Sequence, residues 1–418
     1  MRKILFCLIL IITTTAYSEK ILIPMDLSQT DHLKAYGITF WWLTDGGTGE
    51  WLLNYRSGSF MFDYDEDIVA ECQLRGVDYE VISDANANQI YAEVQDENTN
   101  MDVVRLEKAP RIAVYVPPTA QPWDDAVRLV LEYAEVPYTP IWDEEVLNDK
   151  LKDFDWIHLH HEDFTGQYGK FWLSYANTPW YITMVTSNQT MAEKLGYAKV
   201  SKMKLNVAQK MREYVASGGF LFAMCSATDS YDIALAAQNT DICPDVFDGD
   251  PVDPSDNQKL NYDNTFAFQN FKVINDPSVY EFSDIDIPAE DLLNTQETDY
   301  FTLFDFSAKY DPVPTMLTQN HANVIKGFVG QTSAFHREFV KPSVTILGER
   351  EGTDQVKYIY GKFGRGFFTW YGGHDPEDYT HKIGDPATDV SLHKNSPGYR
   401  LILNNVLFPA AKKKKQKT

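Results

Sequence analysis

The sequence predicts an α/β fold in which a parallel sheet carries helices on both faces. Two observations point there. From residue 111 onward, short apolar runs of strand type alternate with segments whose apolar residues recur at helical spacing. The 418-residue chain is 44% hydrophobic and 23% charged, a globular composition long enough for two domains or one large domain with insertions.

Taken in order, residues 1–18 read as a secretory signal. Arg2 and Lys3 precede an apolar stretch, 4–12, too short to span a bilayer, and Ala16-Tyr17-Ser18 supplies the small-x-small cleavage pattern. The mature chain is then expected to begin at Glu19, to be exported to the periplasm or cell envelope, and to hold no membrane span. Residues 19–107 are expected to form an N-terminal α/β extension. Its parts are a strand at 21–25, a helix over 65–75 stopped by Gly76, and a returning strand at 79–82. Between Trp41 and Tyr55, three Trp and Gly46-Gly47 read as a loop-rich aromatic region.

The main domain is expected over 108–410. Residues 112–116 are a buried-type strand closed by Pro117-Pro118. Ala126, Leu129, Val130, Tyr133 and Ala134 then mark a helix with Asp124 near its start. Strands follow at 138–142 and 156–160, then a helix over 201–216 capped by Ser201 and ended by Gly218-Gly219. An uninterrupted apolar strand at 220–224 leads into a helix resuming near Ser230. Residues 240–335 break the rhythm and read as an insertion, with Asp245, Asp248, Asp250, Asp253 and Asp256 in a solvated loop that lacks a calcium-loop spacing. Strands at 344–347, 356–360 and 367–371 and a closing helix from Pro397 complete the domain, and 411–418 is a basic tail.

Charge narrows the partners. Lys plus Arg number 37 against 60 Asp plus Glu, a net charge of −23, and so acidic a surface repels phosphate backbones, excluding nucleic acid as the expected partner. Aromatic residues at 14% suit a large core and equally a site that stacks on a glycan or another small molecule. Loss of Cys7 with the signal leaves Cys72, Cys225 and Cys243, an odd number that allows at most one disulfide.

Three stretches can carry chemistry, each at the end of an expected strand. Cys225 follows strand 220–224 and precedes a helix, with Ala223 and Ala227 two residues to either side. A nucleophile elbow needs small neighbours there, and the helix start favours a thiolate and an oxyanion. His374 follows strand 367–371 within Gly372-Gly373-His374-Asp375-Pro376-Glu377. It could act as base for the thiol, with Glu377 or Asp375 orienting its ring and no cofactor required. His158, His160, His161 and Glu162 form the third group. Alternation puts His158 and His160 on one face, and imidazoles beside carboxylates suit Zn²⁺ or another divalent transition metal. The bland alternatives are a core cysteine and hydrogen-bonded loop histidines.

The elbow Ala223-Met224-Cys225-Ser226-Ala227, the late His374-Asp375-Pro376-Glu377 and the stretch 361–374 resemble the class I glutamine amidotransferase-like superfamily, in its trehalose-utilisation (ThuA-like) branch. The resemblance covers roughly residues 110–408 and implies a flavodoxin-like fold with Cys225 as nucleophile and His374 as its base. Two alanines stand where that superfamily has elbow glycines. Glu377 comes three residues after the histidine instead of two, and His160-His161-Glu162 stands in place of the oxyanion-loop glycines. Such departures fit a divergent hydrolase or a scaffold whose site became a binding pocket. The whole chain is also similar to secreted proteins of Gram-negative bacteria labelled asparagine synthetase B. ATP-dependent synthetase chemistry finds no support, because Ser217-Gly218-Gly219 precedes a strand instead of linking a strand to a helix. Three functions follow: an extracytoplasmic amidotransferase-like hydrolase or amidohydrolase, a non-catalytic binding or accessory protein of the cell envelope, and a metal-dependent hydrolase using the histidine cluster.

Overall fold

A computed structural model describes residues 19–119, 121–287, 295–305, 307–310, 319–380 and 382–411. The expected signal at 1–18 and residues 412–418 of the basic tail lie outside the described residues. Ala411, assigned to that tail from sequence, instead bridges Leu106.

The N-terminal extension is an antiparallel sheet of β1 (Glu19–Ile23), β2 (Gly49–Leu53), β3 (Ser59–Asp63), β4 (Glu80–Ser83) and β5 (Asp102–Leu106), in the order β4-β1-β3-β2-β5. Three helices join it: α1 (His32–Thr44), α2 (Glu66–Arg75) and α3 (Asp84–Gln95). The region read as an aromatic loop is therefore largely regular: Trp41 and Trp42 belong to α1, and Trp51 to β2. Its helix escaped notice because nine of its thirteen residues are buried, so no polar face alternates with an apolar one.

The main domain begins with β6 (Ile112–Tyr115), α4 (Ala126–Tyr133), β7 (Thr139–Ile141), α5 (Asp143–Leu147) and β8 (Trp156–Leu159). It continues with α6 (Trp172–Tyr175), α7 (Pro179–Lys194), α8 (Val200–Ala216), β9 (Phe220–Met224), α9 (Ala227–Ala236) and α10 (Asp245–Asp248). The rest is β10 (Tyr300–Leu303), β11 (Val324–Lys326), β12 (Phe335–His336), β13 (Thr345–Glu349), β14 (Gln355–Phe363), β15 (Gly366–Tyr371) and α11 (Pro397–Leu407). Two local readings shift. Asp125, and not Asp124, caps α4 by accepting from the N–H groups of Val127 and Arg128. Helix α8 starts one residue early, after Lys199, and leaves the Ser201 hydroxyl buried without a cap bond.

The large sheet is mixed, which corrects the all-parallel expectation. Its order among the described residues is β11-β10-β13-β14-β15-β9-β8-β6-β7, with β12 beside β14. Strands β7, β6, β8, β9 and β15 run parallel; β14, β13, β10 and β11 continue antiparallel. The cause is chain length. Gly364-Arg365 is all that separates β14 from β15, and a parallel return needs a crossover of about a dozen residues or more. Within the inserted stretch, β10 and β11 extend the sheet edge.

One buried cluster runs from β1 and α1 through β6 and α4 to α11, so the extension and the main domain share a core. Arg400 on α11 ties them further. Fully buried, it donates to Met25 O at 3.0 Å, to the Tyr36 hydroxyl at 3.1 Å and to Ser57 O.

Candidate functional site

The parallel strands, taken in chain order as first to fifth, lie in the order 2-1-3-4-5. The order reverses between β6 and β8, and in open α/β sheets ligands bind beyond the carboxyl ends at such a point. All three stretches singled out from sequence, together with the loop after β6, gather there.

After β8, the histidines run inward. His158 and His160 are fully buried. His158 Nδ1 lies 3.1 Å from Phe222 O, to which it donates, so Nε2 is the nitrogen turned toward His160 and Asp125. His158 Nε2 lies 3.3 Å from His160 Nδ1, and His160 Nε2 lies 3.1 Å from His374 Nδ1. His161 completes the group, its ring centroid 5.2 Å from that of His160 and 5.9 Å from that of His374. Neither His161 nitrogen has a hydrogen-bond partner among the described residues. Burial and then the neighbouring rings hold its pKa well below the histidine range, so it stands neutral, the form that ligates metals. One ring nitrogen each from His160, His161 and His374 falls within 4.8 Å of the others.

Asp125, missed from sequence, joins from the start of α4. Its Oδ1 is 3.4 Å from His158 Nε2 and 3.5 Å from His160 Nδ1. Burial pushes its carboxyl up, but the His158 and His160 rings outweigh this and the net shift is downward. The signal was present as the capping residue of an amphipathic helix, yet nothing in the chain joined residue 125 to 158–160.

Glu162 accepts the His160 N–H at 2.8 Å through Oε2, while Oε1 is buried without a partner among the described residues; burial pushes its carboxyl up to about 8. His161 and Glu162 line a cleft of about 700 Å³, measured out to its open mouth, with Pro117, Trp123, Trp142, Tyr168 and Phe171 among its walls. Trp123 meets the His161 ring edge-on, 5.0 Å between centroids.

Cys225 sits on the expected elbow between β9 and α9, with φ +49°. Its N–H donates to Gly373 O at 3.1 Å, and its Sγ accepts from the Gln331 N–H at 3.4 Å. The thiol is buried under the 330–332 segment, and burial pushes its pKa up to about 11 despite the Gln331, Ser226 and Thr332 N–H groups. A Cβ on Gly330 would lie 2.7 Å from His374 N and 3.1 Å from Cys225 Sγ, so glycine is what lets that segment close over the elbow.

The predicted acids do not turn toward His374. Asp375 accepts from Tyr399 OH at 2.8 Å and Thr388 Oγ1 at 2.8 Å, and Glu377 pairs with His393 Nδ1 at 2.9 Å. Cys72, Cys225 and Cys243 are buried and unpaired, and no disulfide is present among the described residues. In the acidic loop, Lys199 Nζ pairs with Asp248 at 3.1 Å and with Asp250. A lysine therefore stands where a cation would.

No family model and no curated protein matches the chain. Among solved structures it is similar to the cytoplasmic proteins STM3548 and STM1381 of Salmonella typhimurium. Identities are 11% and 10%, with 72% of this chain and 100% of each of those covered, at TM-scores of 0.35 and 0.34. A beta-galactosidase from Bacillus circulans sp. alkalophilus aligns at 11% identity over 73% of this chain and 32% of its own, with a TM-score of 0.26. Scores that low fix neither a fold family nor an activity. Among the described residues, no helix is long and apolar enough to cross a membrane.

Proposed function

We propose that this chain is an exported, metal-dependent hydrolase built on a flavodoxin-like, amidotransferase-like scaffold, with His160, His161 and His374 as ligands. The observation that carries this reading is the convergence of three imidazole nitrogens within 4.8 Å beside an open cleft. The strand order 2-1-3-4-5 and the Cys225 elbow support the scaffold.

A divalent ion such as Zn²⁺ held there would supply Lewis acidity toward a carbonyl or phosphoryl oxygen. Glu162, which lines the cleft beside His161 and whose Oε1 has no hydrogen-bond partner among the described residues, would serve as the general base toward water and return the proton to a leaving group. Trp123, Trp142, Tyr168 and Phe171 form an apolar wall for an uncharged substrate, in keeping with the acidic chain. The Cys225–His374–acid alternative draws less support, because His374 Nδ1 meets His160 while Glu377 and Asp375 bond elsewhere.

Elemental analysis of the full mature chain tests the proposal. Bound zinc or another divalent transition metal is expected, with loss on His161→Ala. A metal-free protein whose thermal unfolding is unchanged by added Zn²⁺ would overturn it.

A further inference from the structure

We propose a second, fully buried metal position formed by Asp125, His158 and His160, with His160 bridging it to the cleft-side position as an imidazolate. This inference rests on the metal reading above and adds to it.

The geometry is a triangle. Asp125 Oδ1, His158 Nε2 and His160 Nδ1 are separated by 3.3, 3.4 and 3.5 Å. Hydrogen bonds between such atoms cluster at about 2.7–3.2 Å, so all three edges are long for direct bonding. Ligand atoms about 2.0–2.1 Å from a tetrahedral ion are separated by about 3.3 Å, and the edges match that value.

The protonation pattern agrees. His158 Nδ1 is held by Phe222 O, so Nε2 is the nitrogen that faces the triangle and would bind a metal there, the arrangement by which an outer partner fixes a metal-binding histidine. Asp125 Oδ1 accepts the Val127 and Arg128 N–H groups at 2.9 and 3.0 Å, yet Oδ2 is buried without a hydrogen-bond partner among the described residues. A carboxylate buried with one oxygen unsatisfied is unfavourable unless a cation or proton meets the group. No lysine or arginine forms an ion pair with Asp125 among the described residues; the groups facing it are imidazoles. A dication answers the carboxylate and the two lone pairs together.

His160 makes the two positions one device. Its Nδ1 belongs to the Asp125–His158 triangle, and its Nε2 faces His374 Nδ1 at 3.1 Å. When both nitrogens bind metal, the ring gives up its remaining N–H proton to solvent, one proton per chain. Zn²⁺ or Cu²⁺ is the class this nitrogen-rich set selects over Ca²⁺ or Mg²⁺.

Metal stoichiometry decides. The full mature chain is stripped with chelator, reloaded with Zn²⁺, and counted by elemental analysis. Two ions per chain are expected in the wild type, and one in His158→Gln. Because His158 is wholly buried and that variant could fail to fold, Cu²⁺-loaded wild type is also measured by electron paramagnetic resonance. A bridged pair gives a spin-coupled spectrum, and isolated ions do not. One ion per chain with an uncoupled Cu²⁺ spectrum overturns the second position while leaving the cleft-side metal standing. No bound ion overturns both.

Discussion

The thiol of Cys225 allows the sharpest quantitative test. Its elbow conformation suggests a nucleophile, but its surroundings argue for a silent one. Burial places its pKa at about 11, so at about pH 8 only about one molecule in a thousand is thiolate. A free cysteine, with pKa about 8.5, is roughly a quarter ionised at that pH. Alkylation proceeds through the thiolate, so ionisation alone predicts a rate roughly two hundred-fold below that of a free thiol. Closure by the Gly330–Thr332 segment slows it further. The assay is iodoacetamide labelling of native protein across a pH series, with mass-spectrometric assignment of the modified cysteine. Labelling should rise only as pH approaches 11 or as the protein unfolds. Rapid stoichiometric modification of Cys225 with an apparent pKa below 8.5 would refute this reasoning and restore the Cys–His–acid mechanism.

Gly330→Ala forces a methyl group against His374 N and Cys225 Sγ, and such overpacking should cost about 1–3 kcal/mol, read as a lower urea midpoint at unchanged slope; an unchanged midpoint would mean the segment does not close as described. Asp229 is buried with Oδ1 accepting from Thr332 and Oδ2 unpartnered among the described residues, and burial raises its pKa to about 7 from an unfolded value near 3.8. Its native form binds more protons than the unfolded chain between those limits, so wild-type stability falls as pH rises through that window. Asp229→Asn should therefore gain on wild type by up to ~1.4 kcal/mol per pH unit from about pH 4 to 7 and then level off. A stability difference independent of pH in urea titrations would contradict the burial. Arg400→Ala leaves Met25 O, Ser57 O and the Tyr36 hydroxyl without their charged donor and should cost about 3 kcal/mol or more in thermal unfolding; a loss below about 1 kcal/mol would show that the guanidinium does not staple the two sheets.

Much of the fold was legible because local pattern and burial agreed. β6, β8, β9 and β15 are fully or nearly apolar runs between turn residues, and α8 and α11 show stripes at helical spacing. Where burial surrounds an element, as in α1, the polar face that reveals a helix disappears. Strand direction in the β13–β15 meander could have been read from its short links. At the site, Cys225, His374 and the 158–162 cluster were visible because each ends a strand, which is where a sheet presents its chemistry. Their partners were not visible. Which carboxylate meets which imidazole depends on the entry angle of α4 and the path of the 375–393 loop, so Asp125 arrives unannounced, while Asp375 and Glu377 bond to Tyr399 and His393. A purely local reading favours the nearest acid, and the fold instead sets Asp125, from the start of α4, against His158 and His160.

The Arg400 staple also sets an order of assembly. Its acceptors, Met25 and Ser57, are synthesised 375 and 343 residues before the guanidinium that binds them. The nascent extension must hold an apolar face and unmet carbonyls open through synthesis of the whole central sheet, until α11 arrives to cover them. Closure of the shared core thus waits for α11. A protein cut short before α11 would leave α1 without that helix to pack on and the Met25 and Ser57 carbonyls unmet, and quality control would recognise it by that open face.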